Sequence, residues 1–189
     1  MDLVGRIKGI LLSPRSEWKV IESEPGDAGY LFKNYVAILA AIPAVCGFIG
    51  TALVGVSIPG AGTVRVAIGP ALVSAIIGYV LSFVMVYVIA QAIDVLAPRF
   101  GGRRDFPSAL KTAVYAYTPG WLAGIFALIP ALAFLGILAL YALYLIWLGL
   151  PVMMKSPEDR SLGYTASVIV IAIVVGLLIG FIQAAFIRF

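Results

Sequence analysis

The residues able to do chemistry are few, and they lie in three places along the chain. Gln91 and Asp94 stand three apart, which sets an amide and a carboxyl on one helical face. A carboxyl among apolar residues can titrate in a proton-coupled cycle or hold a cation. It can equally close an ion pair with a base such as Arg99 or Lys111. Tyr117-Thr118-Pro119-Gly120 interrupts a long apolar stretch. Proline removes a backbone donor and its ring pushes away the carbonyl four residues earlier. Such a break either offers carbonyl oxygens to an ion or substrate, or kinks a helix for packing. Finally, Arg99, Arg103 and Arg104 crowd one polar loop, APRFGGRRDFPSALK. They can hold anionic lipid headgroups or a phosphate, or serve only to fix topology.

What is missing bounds the chemistry further. There is no histidine, and the single cysteine, Cys46, lies inside an apolar run. An intramolecular disulfide and a cysteine metal cluster are therefore excluded. No glycine-rich phosphate loop and no pair of buried carboxylates is present, and no nucleophile has a base beside it. The reading is a non-enzyme with no cofactor and no metal. The net charge of +4 does not point to nucleic acid, because the thirteen Lys and Arg are scattered in short clusters between apolar runs.

The elements that carry these residues follow from composition and length. Hydrophobic residues make up 62% of the 189 and charged residues 12%, with a mean hydropathy of +1.09. A soluble domain carries about a quarter charged residues, so this chain has lipid as its main solvent. Crossing roughly 30 Å of hydrocarbon takes about 20 apolar residues as a helix. Charge-free stretches then predict spans at about 35–56, 67–96, 109–129, 131–151 and 164–187. The first is closed by the glycine–proline cluster SIPGAG, and Pro70 suits the first turn of the second. Thr112 to Met154 is 43 residues without a charge, or about 65 Å as one helix. It must fold back, and Ile129-Pro130 is the place, as two full spans or as a re-entrant pair. The predicted class is an all-α integral membrane protein, a five-helix transmembrane bundle.

Orientation follows from the cations. Eleven fall before the first span, between the second and third, or between the fourth and fifth, whereas only Arg65 and Arg188 fall on the other side. The positive-inside rule then places the N-terminus in the cytoplasm and the C-terminus on the opposite side. Tyr35, Tyr115, Tyr117, Tyr144, Trp147 and Tyr164 fall toward the inner boundary, as an interfacial belt would. No cleavable signal is read, and the first span is expected to act as its own.

Residues 1–33 read as a cytoplasmic amphipathic segment and 34–189 as the membrane domain. Within 1–24, Leu3, Val4, Ile7, Ile10 and Leu11 recur at helical spacing, and Ser13-Pro14 restarts the chain into SEWKVIESE. These two short helices bind membrane or a partner, with Trp18 as a contact, or they pack as a lid on the bundle. On the first of these readings they are separable from it. Gly120 and Gly124, Gly176 and Gly180, and Ser74–Gly78–Ser82 clear strips for close helix approach, within the bundle or in a homo-oligomer.

Three stretches together resemble a known family: ILLSPRSEW, KTAVYAYTPGWLAGIFALIPALAFLG and LYALYLIWLGLPVMMKSPEDRSLGY. In order they give a Tyr-Pro break, an Ile-Pro turn, a Leu-Gly-Leu-Pro exit and a Pro-Glu-Asp loop. This is similar to the bacterial branch of the Yip-domain family, named for Ypt/Rab-interacting membrane proteins. The resemblance implies a five-span bundle with a cytoplasmic N-terminus in a bacterial cytoplasmic (inner) membrane. A Rab-type GTPase partner transfers poorly, because relatives that bear it have a longer cytosolic N-terminal region and an Asp-Leu-Tyr-Gly-Pro-type motif. Here Asn34-Tyr35-Val36 stands in that place. The expected role is to organise protein partners or lipids from the cytoplasmic face. The rival is a small proton- or ion-coupled transporter or channel using Asp94 and the broken third helix.

Overall fold

Apolar segments in lipid must satisfy their own backbone, because hydrocarbon supplies no hydrogen-bond partner. In a computed structural model, which describes residues 2–58 and 62–187, the chain does this with helices almost throughout. Two short helices come first, α1 (Leu3–Leu12) and α2 (Pro14–Ser23). A long rod, Ala28–Val54, contains α3 (Ala28–Leu31) and α4 (Ala37–Phe48), with wider π-helical turns at Phe32–Val36 and Ile49–Val54. A small antiparallel pair, β1 (Val56–Ile58) with β2 (Gly62–Val64), leads to α5 (Ile68–Leu96). The span ending at SIPGAG thus stops at Val54, and the centre of that cluster, 59–61, lies outside the described residues, as does Arg188. Pro70 falls in the first turn of α5, as expected.

After a 3-10 turn at Ala97–Phe100 come α6 (Phe106–Ala116) and α7 (Thr118–Ala123), separated by Tyr117. Asp105 caps α6, its carboxylate accepting from the amide and the hydroxyl of Ser108. The path then tightens into 3-10 helix at Gly124–Leu128, turns at the extended Ile129, and continues as 3-10 helix over Pro130–Leu140. That run is 11 residues, well beyond the usual length. It flows into α8 (Tyr141–Met154), and α9 (Ser161–Ile187) ends the chain. Among the described residues four helical rods are long and apolar enough to cross a membrane: Ala28–Val54, Ile68–Phe100, Pro130–Met154 and Glu158–Gln183. The predicted third span is broken at Tyr117 and is not among them.

Two ends can be told apart by their contacts. At the distal end a Cβ on Gly50 would collide with the Ala127 carbonyl, and Arg65 donates to the Val54 carbonyl at 3.3 Å. At the proximal end the Arg103 amide donates to Met154 O at 3.0 Å, and Gly26 abuts Pro107. The stretch from Phe106 to Leu128 therefore runs from one end to the other. The core is concentrated proximally. Trp18, Ile21, Tyr35, Ile89, Ile93, Leu110, Tyr115, Leu150, Met153 and Tyr164 are fully enclosed, whereas no residue of Gly124–Leu128 or Pro130–Leu140 is buried.

This placement revises one expectation and decides between two readings of another. Tyr35, Tyr115 and Tyr164 are core residues and not interfacial ones; of the expected belt, Tyr144 and Trp147 are exposed. The N-terminal helices are part of the core and not a separable segment. Trp18 is 0% exposed and lies against Gly149 of α8, where a Cβ would sit 2.8 Å from the indole. Lys111 of α6 donates its ammonium to Ile21 O and Glu24 O, each at 2.8 Å, and so caps the C-terminal end of α2. Arg6 pairs with Glu17 and Glu24 and lies over the Tyr115 ring, Lys155 pairs with Glu22, and Tyr141 Oη donates to Leu11 O at 3.0 Å.

Gly149→Ala should therefore lower the thermal unfolding midpoint in detergent, at a cost of about 1–3 kcal/mol from overpacking. Gly69→Ala, where nothing approaches within 4 Å, should leave it unchanged.

Candidate functional site at the proximal end

Asp94 ends α5 pointing into the loop that follows. Gly101, at φ 75°, turns the backbone through a conformation that glycine adopts freely. The Gly102 amide then bonds back to Ala97 O at 2.9 Å. The turn brings Arg104 over Asp94, with Nε and Nη2 at 2.9 and 2.7 Å from the same oxygen, Oδ2. Asp94 is buried and Arg104 largely exposed, so one end of the pair is dry and the other wet. The partner is thus Arg104, not Arg99 or Lys111 as the spacing suggested.

Gln91 does not join Asp94. Its amide donates to the Tyr87 hydroxyl at 3.0 Å. The break at Tyr117–Gly120 is likewise internal. Thr118 and Pro119 are buried, and Thr118 Oγ1 donates to Tyr115 O at 2.7 Å while lying 2.8 Å from the Tyr35 hydroxyl. With its own proton spent on the carbonyl, Thr118 must accept from Tyr35. Tyr35 also meets Tyr115 edge-on, with ring centroids 4.9 Å apart. The freed carbonyl is therefore used by a side chain. The Gly120 and Trp121 amides bond to Tyr117 O at 3.0 and 3.2 Å.

Arg99 and Arg103 are exposed; Arg103 reaches Asp105 only at 3.8 Å across the surface, a contact of little energetic consequence. Trp18, expected among the contacts for lipid or partner, is instead a core residue. The structure adds Arg6, Glu17, Glu24 and Tyr141, which spacing alone did not single out, and gives Lys111 the end of α2 as partner in place of Asp94. The one available signal was the alternation of acids and apolar residues in SEWKVIESE, which matches a helix that is charged on one side and packed on the other.

Among the described residues no group of three metal-ligating side chains comes together. A cavity of about 340 Å³ lies between α4 and α5 at the distal end, lined by Pro43, Thr51, Ser74, Gly78, Ser82 and Gln183. It holds the Ser74–Gly78–Ser82 strip but neither Asp94 nor Pro119. Of the other small-residue strips, Gly124 does make a close approach, since its Cβ would lie 2.5 Å from Pro43 Cβ, whereas Gly180 faces open space.

The Yip1 domain model matches residues 8–180, nearly the whole bundle together with α2 and the second half of α1. The chain belongs to the Yip1 domain family. It is also 27% identical over 176 residues to inner membrane protein YohC of Escherichia coli K12, covering 91% of this chain and 90% of that protein. The same protein from E. coli O6:H1 matches equally. No solved structure matches significantly. A Yip1-family membrane protein with a bacterial inner-membrane relative is therefore established, and the charged proximal end lies within the matched domain.

If Asp94 and Arg104 are a structural pair, Asp94→Asn and Arg104→Ala should each lower the unfolding midpoint. The double variant should lose less than the sum of the two, with a coupling of about 1 kcal/mol in a thermal or denaturant cycle.

Proposed function

We propose that this is a non-enzymatic protein of the bacterial inner membrane, crossing it five times with a cytoplasmic N-terminus, which organises lipids or protein partners from its cytoplasmic face. The observation that carries the reading is the character of the proximal end. There a dry core bears exposed basic side chains, Arg99 and Arg103 among them, while Thr118, Gln91 and Oδ2 of Asp94 are taken up by neighbouring side chains. Five crossings are supported by the path of Phe106–Leu128, which begins beside α2 and finishes beside Gly50. The excess of Lys and Arg at the proximal end supports its cytoplasmic placement.

Transport through Asp94 and the Pro119 break has weaker support. The carboxylate is held by Arg104, and the cavity between α4 and α5 lies away from both. A Rab-type GTPase partner gains nothing from the geometry, because the N-terminal helices that could receive one are docked on the bundle.

Two measurements test the reading. A topology reporter fused after Pro130 should read extracytoplasmic; a cytoplasmic signal would make 109–151 re-entrant and reduce the count. Arg99→Ala/Arg103→Ala should weaken binding to liposomes containing anionic lipid by about thirtyfold, two cations at about 1 kcal/mol each setting the scale. Unchanged binding, with no loss of copurifying protein, would sink the organising role.

A further inference from the structure

Arg15 and Lys19 stand four apart on α2, which makes them neighbours on its exposed side. Like charges at that spacing repel, and among the described residues neither has an ion-pair partner. Arg6, Arg104, Lys111 and Lys155, by contrast, all have oxygen partners at this end. Between α2, α8 and the start of α9 these two cations line a pocket of about 680 Å³, with Ser16, Glu158, Pro151 and Trp147 around it. The first turn of α2 opens on the same side. Ser13 provides no side-chain cap; Pro14 has no amide and that of Glu17 bonds to Ser13 O, which leaves the amides of Arg15 and Ser16 for an anion.

The level of the pocket matters as much as its charge. Trp147 is 39% exposed and stands where the charge-free, lipid-exposed run through Phe134, Ile137 and Leu140 gives way to Lys155 and Glu158. An exposed indole at such a boundary marks a membrane interface. The pocket therefore has its apolar wall toward hydrocarbon and its cations toward water.

We propose that this pocket binds a membrane phospholipid by its headgroup. The phosphate lies between Arg15 and Lys19 at the first turn of α2, and Glu158 accepts from a donor on the head, a glycerol hydroxyl or an ethanolamine ammonium. Pro151 and Trp147 lie along the glycerol backbone. The site is separate from the Arg99–Arg103 loop and rests on the proposed reading only for setting this end at a membrane surface.

The test uses the full chain, delipidated in a neutral detergent, with native mass spectrometry counting retained lipid. Phosphatidylglycerol and phosphatidylethanolamine should be retained over phosphatidylcholine, whose head lacks a donor. Arg15→Ala/Lys19→Ala should lower phosphatidylglycerol retention about tenfold, about 1.4 kcal/mol, with the circular dichroism unchanged. If that variant loses helix, Arg15→Gln alone carries the test and should show a smaller loss. Glu158→Gln should bring phosphatidylcholine close to parity. Wild-type retention in the cation variants overturns the site, as does full competition by millimolar inorganic phosphate, which would make the ligand a soluble phosphate. The Arg99→Ala/Arg103→Ala liposome result separates the two claims. Loss there, with none at Arg15 and Lys19, overturns this pocket and leaves the wider reading standing.

Discussion

One ammonium group holds the proximal end together. Lys111 sits midway along α6 with its charge buried, a position that is costly unless the group is fully hydrogen-bonded. Two carbonyl oxygens at the end of α2 supply that bonding, Glu24 O and Ile21 O, the second of which also accepts from the Glu24 amide at 3.4 Å. The negative end of the α2 dipole adds to the attraction. With α2 fixed there, Trp18 must lie against Gly149, and the glycine is required because no larger residue leaves room for the indole. Arg6 then has Glu17, Glu24 and the Tyr115 face within reach.

Why the core should lie at one end follows from solvent. In hydrocarbon, helices gain little by burying apolar side chains against each other. α5, with 29 residues, is about 43 Å long, which exceeds a hydrocarbon slab of roughly 30 Å. Its proximal turns therefore stand in or beyond the interface, where water restores the hydrophobic drive. It is there that Ile89, Ile93 and the N-terminal helices pack without exposure, while the distal halves present Ile125, Phe134 and Phe181 to lipid. The chain departs from regular helix mainly on the distal side of that core. The 3-10 run from Pro130 draws each turn out and narrows the helix, and Pro43 and Gly124 meet backbone to ring.

The sequence made the rods legible because charge and length are decisive in lipid. The second, fourth and fifth spans fall within a few residues of α5, Pro130–Met154 and α9. The turn at Ile129-Pro130 was legible for the same reason. What could not be read was tertiary. Nothing in the spacing of Gln91 and Asp94 distinguishes a shared site from two side chains with separate partners, because Arg104 reaches Asp94 only through the turn at Gly101. The tyrosines misled because an aromatic near a span boundary has the same sequence signature whether it faces lipid or core. Tyr164, whose hydroxyl meets Ile93 O, faces the core; Tyr144 does not. Amphipathic periodicity in α2 likewise could not tell a lipid surface from Gly149.

The family match bears on that last ambiguity. It begins at residue 8, inside α1, rather than at the first long rod. A membrane bundle with an appended surface segment would place its boundary nearer Ala28. Here the matched unit includes α2, Lys111 and the loop carrying Arg104, which is the set of elements that the capping contact ties together. The proximal end is then one packed unit, and its exposed cations stand on elements that this packing holds in place. A fixed array favours recognition of a defined headgroup or partner surface over loose electrostatic attraction, because less side-chain freedom is lost on binding. The distal face has one described base, Arg65, turned back onto Val54, and no comparable display.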